Sequence, residues 1–161
     1  ALIEQSPEDK EKFTQNAAQL NSELKRLDTW ISQQIQTIPP DRRKLVTTHD
    51  AFQYYGRAYG LAIAGTLIGI STEEQPSAKT VQQLVESIKA TQVPAIFAET
   101  TINPTLIKTV AQEAQIKLAP RQLYSDSIGA TNSDGATYIK MMEANTRTIV
   151  EALGGQYTPF K

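Results

Sequence analysis

Apolar residues recur at intervals of three or four along the first quarter of the chain: Phe13, Ala17, Leu20, Leu24, Leu27, Ile31, Ile35 and Ile38. That spacing paints one face of a helix. Ser6, Pro7, Glu8 and Asp9 mark its start, with a capping side chain, a proline in the first turn and acidic groups at the positive end of the helix dipole. Pro39-Pro40 stops it. The pattern predicts one helix of about 31 residues, roughly 46 Å long against about 30 Å for the width of a small domain. One end should therefore overhang the core. A coiled-coil arm and a strut packed on a second lobe would both use such an overhang, and the stripe does not choose between them.

Beyond the double proline the pattern changes to alternating strand and helix signals. Strands are predicted at 44–48 (KLVTT), within the apolar run 61–70, at 93–99 (VPAIFAE) and at 116–120 (IKLAP). Helices are predicted at 50–60, ending on Gly60, at 76–92 after Pro76, at 103–115 with Asn103 as cap, and at 134–155, closed by Gly154-Gly155. Strands alternating with helices imply an α/β fold. The expected form is a mostly parallel sheet of about four strands covered by helices on both faces and preceded by the one long helix.

Composition narrows the classes. At 161 residues one core is expected. With 16 basic and 17 acidic residues there is no basic field, so nucleic acid is not an expected partner. The absence of cysteine removes disulfides, thiolate metal sites and thiol nucleophiles. No apolar run approaches the roughly 20 residues of a membrane span, and the first residues, ALIEQSPEDK, lack the basic and apolar regions of a signal peptide.

Ligands of open parallel sheets sit outside the carboxyl ends of the strands. The residues following the predicted strands are His49, the stretch 71–75 (STEEQ), Glu99 and the stretch 124–127 (YSDS) with Asp126. Imidazole and carboxylate are the donors a divalent cation takes when thiolate is absent. Each residue also has an ordinary reading. His49 can be a hydrogen-bonded structural residue, Asp50 a cap for the next helix, and Glu99 and Asp126 solvated acids or caps. Glu73 and Glu74 suit a solvated loop, and Phe52, Tyr54, Tyr55 and Tyr59 suit packing against the sheet. Catalysis is not expected, because no phosphate-binding glycine loop or nucleophile elbow is present. A hydrolase would have to be assembled from Ser125 or Ser127, His49 and an acid.

Taken in order, LVTTHDAFQYYGRAYGL, QPSAKTVQQLVESIKATQVPAIFAET, LYSDSIG and TYIKMMEANTRTIVEAL resemble the C-terminal lobe of the manganese- and zinc-binding solute-binding proteins of bacterial metal ABC importers. The resemblance implies that residues 1–40 form an inter-lobe helix, that 41–161 form a C-terminal metal-binding lobe, and that an N-terminal lobe is absent. It implies His49 and Asp126 as metal ligands, with Glu99 behind them or lining the cleft, and two further histidines from the other lobe. The transported ligand would be Mn²⁺ or Zn²⁺, and the partner an ABC permease. The full-length protein would be periplasmic or extracytoplasmic and membrane-associated, and its apolar helix, uncovered, could drive dimerisation of this chain. The alternative from another class is a helix-mediated interaction module that binds no metal.

Overall fold

The apolar stripe folds as α2 (Lys10–Gln36) in the computed structural model, which describes residues 1–71, 73 and 75–161. A single turn of helix, α1 (Leu2–Gln5), and a 3-10 turn over Pro7–Asp9 precede it. The expected cap at Ser6 is not made: its side chain accepts no capping bond, and the α-helix proper starts at Lys10. The overhang is present. Leu27, Ile31 and Ile35 are buried, whereas Ala17 is exposed and Leu20 is 52% exposed. Only the C-terminal part of the stripe therefore meets the core.

The remaining elements alternate as expected: β1 (Lys44–Thr47), α3 (Gln53–Tyr59), β2 (Ala62–Thr66), α4 (Ala78–Thr91), β3 (Ala95–Ile96), α5 (Thr105–Ala114), β4 (Lys117–Leu118) and α6 (Tyr138–Ala152). β1 pairs in parallel with β2, and β3 in parallel with β4. The two ladders are separate two-stranded sheets, and the backbone N–H of Phe97, just past β3, donates to the Val46 carbonyl at 2.9 Å and sets β3 beside β1. Beyond the short regular strands, Leu123 N–H donates to Ala98 C=O, Thr100 N–H donates to Leu123 C=O, and Glu99 and Leu123 form a parallel bridge.

Successive strand residues point to opposite faces, and both faces are covered. Leu45 and Phe97 pack with Ile31 and Ile35 of α2 and Ile149 of α6. Val46 and Ile96 pack with Leu84 and Ile88 of α4 and Ile107 of α5. The helix ends follow local chemistry. Gly60 closes α3 at φ 78°, a conformation that costs a residue without Cβ little. The last helix begins later than its pattern predicts, at Tyr138 with Thr137 accepting from the Lys140 N–H. Residues 134–136 instead fold against Tyr124: its hydroxyl donates to Asp134 Oδ1 at 2.6 Å, and a Cβ on Gly135 would stand 2.6 Å from its ring. No described helix is long and apolar enough to cross a membrane.

Stability should map onto this division of α2. Ile35→Ala, at a fully buried position, should cost about 2–5 kcal/mol, and Leu20→Ala should stay within about 0.5 kcal/mol. Urea unfolding of the two variants beside the parent chain measures both, and a comparable loss at Leu20 would mean that the overhang is packed in solution.

Candidate metal centre

His49 is the last residue of the buried run Leu45–His49 that begins in β1. Its loop is tied at several points: Thr47 Oγ1 donates to the His49 carbonyl at 2.8 Å, Ala51 N–H donates to the same carbonyl at 3.0 Å, and Asp50 N–H donates to Gly69 C=O at 3.2 Å. The His49 backbone N–H donates to Glu99 Oε1 at 2.9 Å, and its ring Nδ1 lies 2.5 Å from Glu99 Oε2. Both side chains are buried. On the opposite edge of the ring, Nε2 lies 3.3 Å from Asp126 Oδ1, and the Asp126 side chain is 46% exposed.

Asp126 is held by a different set of contacts. The Asn145 side chain, buried on α6, accepts from Tyr124 N–H and donates to Tyr124 C=O, both at 2.8 Å, in the manner of a neighbouring strand. The next turn takes Asp126 to φ 57°, a left-handed conformation that aspartate tolerates better than most residues. Thr101 Oγ1 then donates to Asp126 Oδ2 at 3.3 Å and lies 3.1 Å from Ser125 Oγ.

The fold thus brings His49, Glu99 and Asp126 together. Other candidates stay apart. Asp50 does not cap α3: the cap position is Phe52, and no side chain bonds the first turn. The aspartate sits three residues ahead of the helix and lines the cleft beside His49. Glu73 is exposed on its loop, and Thr72 and Glu74 lie outside the described residues. His49 faces a carboxylate on each ring nitrogen, and Ser125 Oγ is engaged with Thr101, so among the described residues no serine and imidazole form a pair. Sequence reasoning missed Thr101 and Asn145. An asparagine on the apolar face of α6, four residues before Ile149, was the available signal for the second.

Among the described residues no three His, Cys, Asp or Glu side chains are arranged to hold one ion. Glu99 and Asp126 touch opposite edges of the ring, so of these three residues His49 Nε2 and Asp126 are the donors open to the cleft, which Asp50 also lines. The cleft, about 480 Å³, is walled by α3 and α6 through Tyr55, Tyr59 and Met142. Burial, opposed by a bond to Thr146, holds Tyr55 well above the ordinary phenol range. Burial and the bond to Asp28 do the same at Tyr59. Across the cleft, the bond to Asp134 raises Tyr124. These phenols remain protonated and offer no anionic donor.

The family described as "Zinc-uptake complex component A periplasmic" matches residues 1–152. The manganese-binding lipoprotein MntA of Halalkalibacterium halodurans is 32% identical over 152 residues, which are 94% of this chain and 50% of that protein. The solved periplasmic zinc-binding protein TroA of Treponema pallidum superposes with a TM-score of 0.88 at 34% identity, covering 94% of this chain and 56% of that one. Fe(III)-bound YtgA of Chlamydia trachomatis gives 0.83 at 33% identity, covering 96% and 57%. The chain spans about half the length of the curated relatives it matches. It belongs to the zinc-uptake component A family, a family of solute-binding proteins and not of enzymes.

Removing the Asn145 amide should free the Asp126 segment. Asn145→Ala strips two buried hydrogen bonds from Tyr124, at a cost of about 1–3 kcal/mol for each group left unsatisfied. Native-state hydrogen exchange should show the Tyr124 amide losing protection ahead of the β1 amides, and uniform loss across the sheet would contradict a local role.

Proposed function

We propose that this chain is the C-terminal part of an extracytoplasmic solute-binding protein that captures a divalent transition metal and hands it to an ABC permease. In this reading residues 1–40 are an inter-lobe helix and 41–161 a metal-binding lobe. The observation that carries it is the separation of 3.3 Å between His49 Nε2 and Asp126 Oδ1. Two donors bonded to one tetrahedral ion at about 2.0–2.1 Å stand about 3.4 Å apart. The gap already has the size of one edge of such a site. A neutral imidazole and a carboxylate form a donor pair suited to Zn²⁺ that also accepts Mn²⁺.

Two donors fill half of a four-coordinate shell, and a further lobe would bring the rest. The surface supports that reading. Among the described residues the exposed large apolar side chains include Leu2, Ile3 and Leu20 on the overhanging helical arm and Tyr54, Ile70 and Tyr138 lining the cleft, with Ile128 two residues past Asp126. Both are surfaces that a second lobe would cover. Relatives named as metal-binding lipoproteins support a location at the outer face of a membrane. The same arm supports a second reading, in which Leu2, Ile3 and Leu20 pair with another copy of the chain and no metal is needed; a sedimenting mass that stays monomeric at high concentration would exclude it.

Calorimetric titration tests metal capture directly. Zn²⁺ should bind more tightly than Mn²⁺, and Asp126→Ala and His49→Ala should each weaken Zn²⁺ binding about tenfold or more. Protons compete for the imidazole and the carboxylate, so affinity should be higher at pH 8 than at pH 5. Equal affinity at the two pH values, or an unaltered His49→Ala/Asp126→Ala double variant, would overturn the reading.

A further inference from the structure

We propose that Glu99 is a positioning residue that locks the His49 ring in the Nδ1–H tautomer and so keeps the Nε2 lone pair free for metal. The proposal rests on the metal-capture reading above for what Nε2 does. The lock itself stands on the geometry of this one pair.

Glu99 is completely buried, yet it points both oxygens at a single residue. Oε1 accepts the His49 backbone N–H at 2.9 Å, and Oε2 lies 2.5 Å from Nδ1. A two-point attachment fixes the ring relative to its own backbone. Neither Nδ1 nor Oε2 has another hydrogen-bond partner among the described residues. A proton on Nδ1 shared with Oε2 satisfies both buried atoms at once. The other tautomer would set the Nδ1 lone pair against a buried carboxylate oxygen, and both would be left without a donor. Asp126 creates no equal demand at Nε2. Its contact is longer, 3.3 Å, and its half-exposed carboxylate can be served by solvent and by Thr101.

Glu99 can impose this because its own backbone is fixed. It bridges to Leu123, and its carbonyl accepts from the Gln122 side chain at 3.0 Å. The clamp therefore transmits the spacing of two strand ends to one imidazole. With Nδ1 protonated, the Nε2 lone pair and the Asp126 carboxylate face each other across the gap, an arrangement that a cation placed between them turns from repulsion into attraction. A second-layer carboxylate on a ligating histidine acts in this way in many metal sites.

The chain has one histidine, so ring-nitrogen NMR of the ¹⁵N-histidine-labelled protein reports His49 without assignment ambiguity. In the parent chain at pH 8 the spectrum should show protonated Nδ1 and unprotonated Nε2, and Zn²⁺ should shift Nε2 while Nδ1 keeps its proton. Glu99→Gln should shift the ring toward the Nε2–H tautomer and weaken Zn²⁺ binding by about 10–100-fold. A parent spectrum already dominated by Nε2–H, or a tautomer unmoved by Glu99→Gln, would overturn the proposal. If that variant does not fold, the parent spectrum alone decides. A parent chain that shows the Nδ1–H tautomer, and whose Nε2 signal stays unmoved even at millimolar Zn²⁺, would uphold the lock and overturn the metal-capture reading instead.

Discussion

One backbone hydrogen bond, from Phe97 N–H to Val46 C=O, sets the strand that leads to His49 beside the strand that leads to Glu99. On either side of it lie two-stranded parallel ladders too small to bury two faces alone. Set side by side, they form a layer in which Leu45 and Val46 along one strand, and Phe97 and Ile96 along the next, send side chains to opposite helical layers. The same bond sets the relative height of the two strands. His49 follows Val46 by three residues and Glu99 follows Phe97 by two, so parallel strands held at this height deliver both to one edge. The contacts between His49 and Glu99 are consequences of that register.

Much of this was legible along the chain, and the reason is periodicity. The α2 stripe, the βα alternation and the stop signals at Pro39-Pro40 and Gly60 are local, and local signals survive folding when they agree with the final packing. The rule that ligands gather at the carboxyl ends of parallel strands drew attention to His49, the stretch 71–75, Glu99 and the stretch 124–127, and the family resemblance then chose His49 and Asp126 among them. What the sequence left hidden depends on contacts distant in the chain. Asp50 looked like a helix cap because capping preferences are read from neighbours, and nothing nearby reveals that α3 would start three residues later. The Asn145 amide works as a strand edge only because α6 lies beside Tyr124, and Thr101 reaches Asp126 only through the pairing of Glu99 with Leu123.

Charge is distributed in depth. The innermost carboxylate, on Glu99, is cut off from water and gives its oxygens to the His49 backbone and ring. Tyr55 and Tyr59 flank the cleft with phenols that burial keeps neutral. The carboxylates lining the cleft beside the imidazole are those of Asp126 and Asp50. In the metal-binding reading, a site built this way would attract cations without offering phenolate donors, and would suit divalent metals that accept nitrogen and oxygen together.

The two donors also differ in freedom, and that difference gives the cleft a direction. The His49 side chain is only 3% exposed and is fixed from behind, so a cation cannot reach Nε2 from the sheet side. It must come through the cleft, past the half-exposed Asp126 carboxylate. Asp126 is held by one hydroxyl and a strained turn, a looser support than the buried clamp on His49. In the metal-binding reading, the exposed carboxylate meets the ion first and gives up water to do so, while the imidazole, already desolvated and oriented, has little left to rearrange. A second lobe closing over the apolar rim would then exclude water from both donors at once. Because this half of the site is rigid on one side and adaptable on the other, closure can adjust the bond to Asp126 without disturbing the strand ends that hold His49.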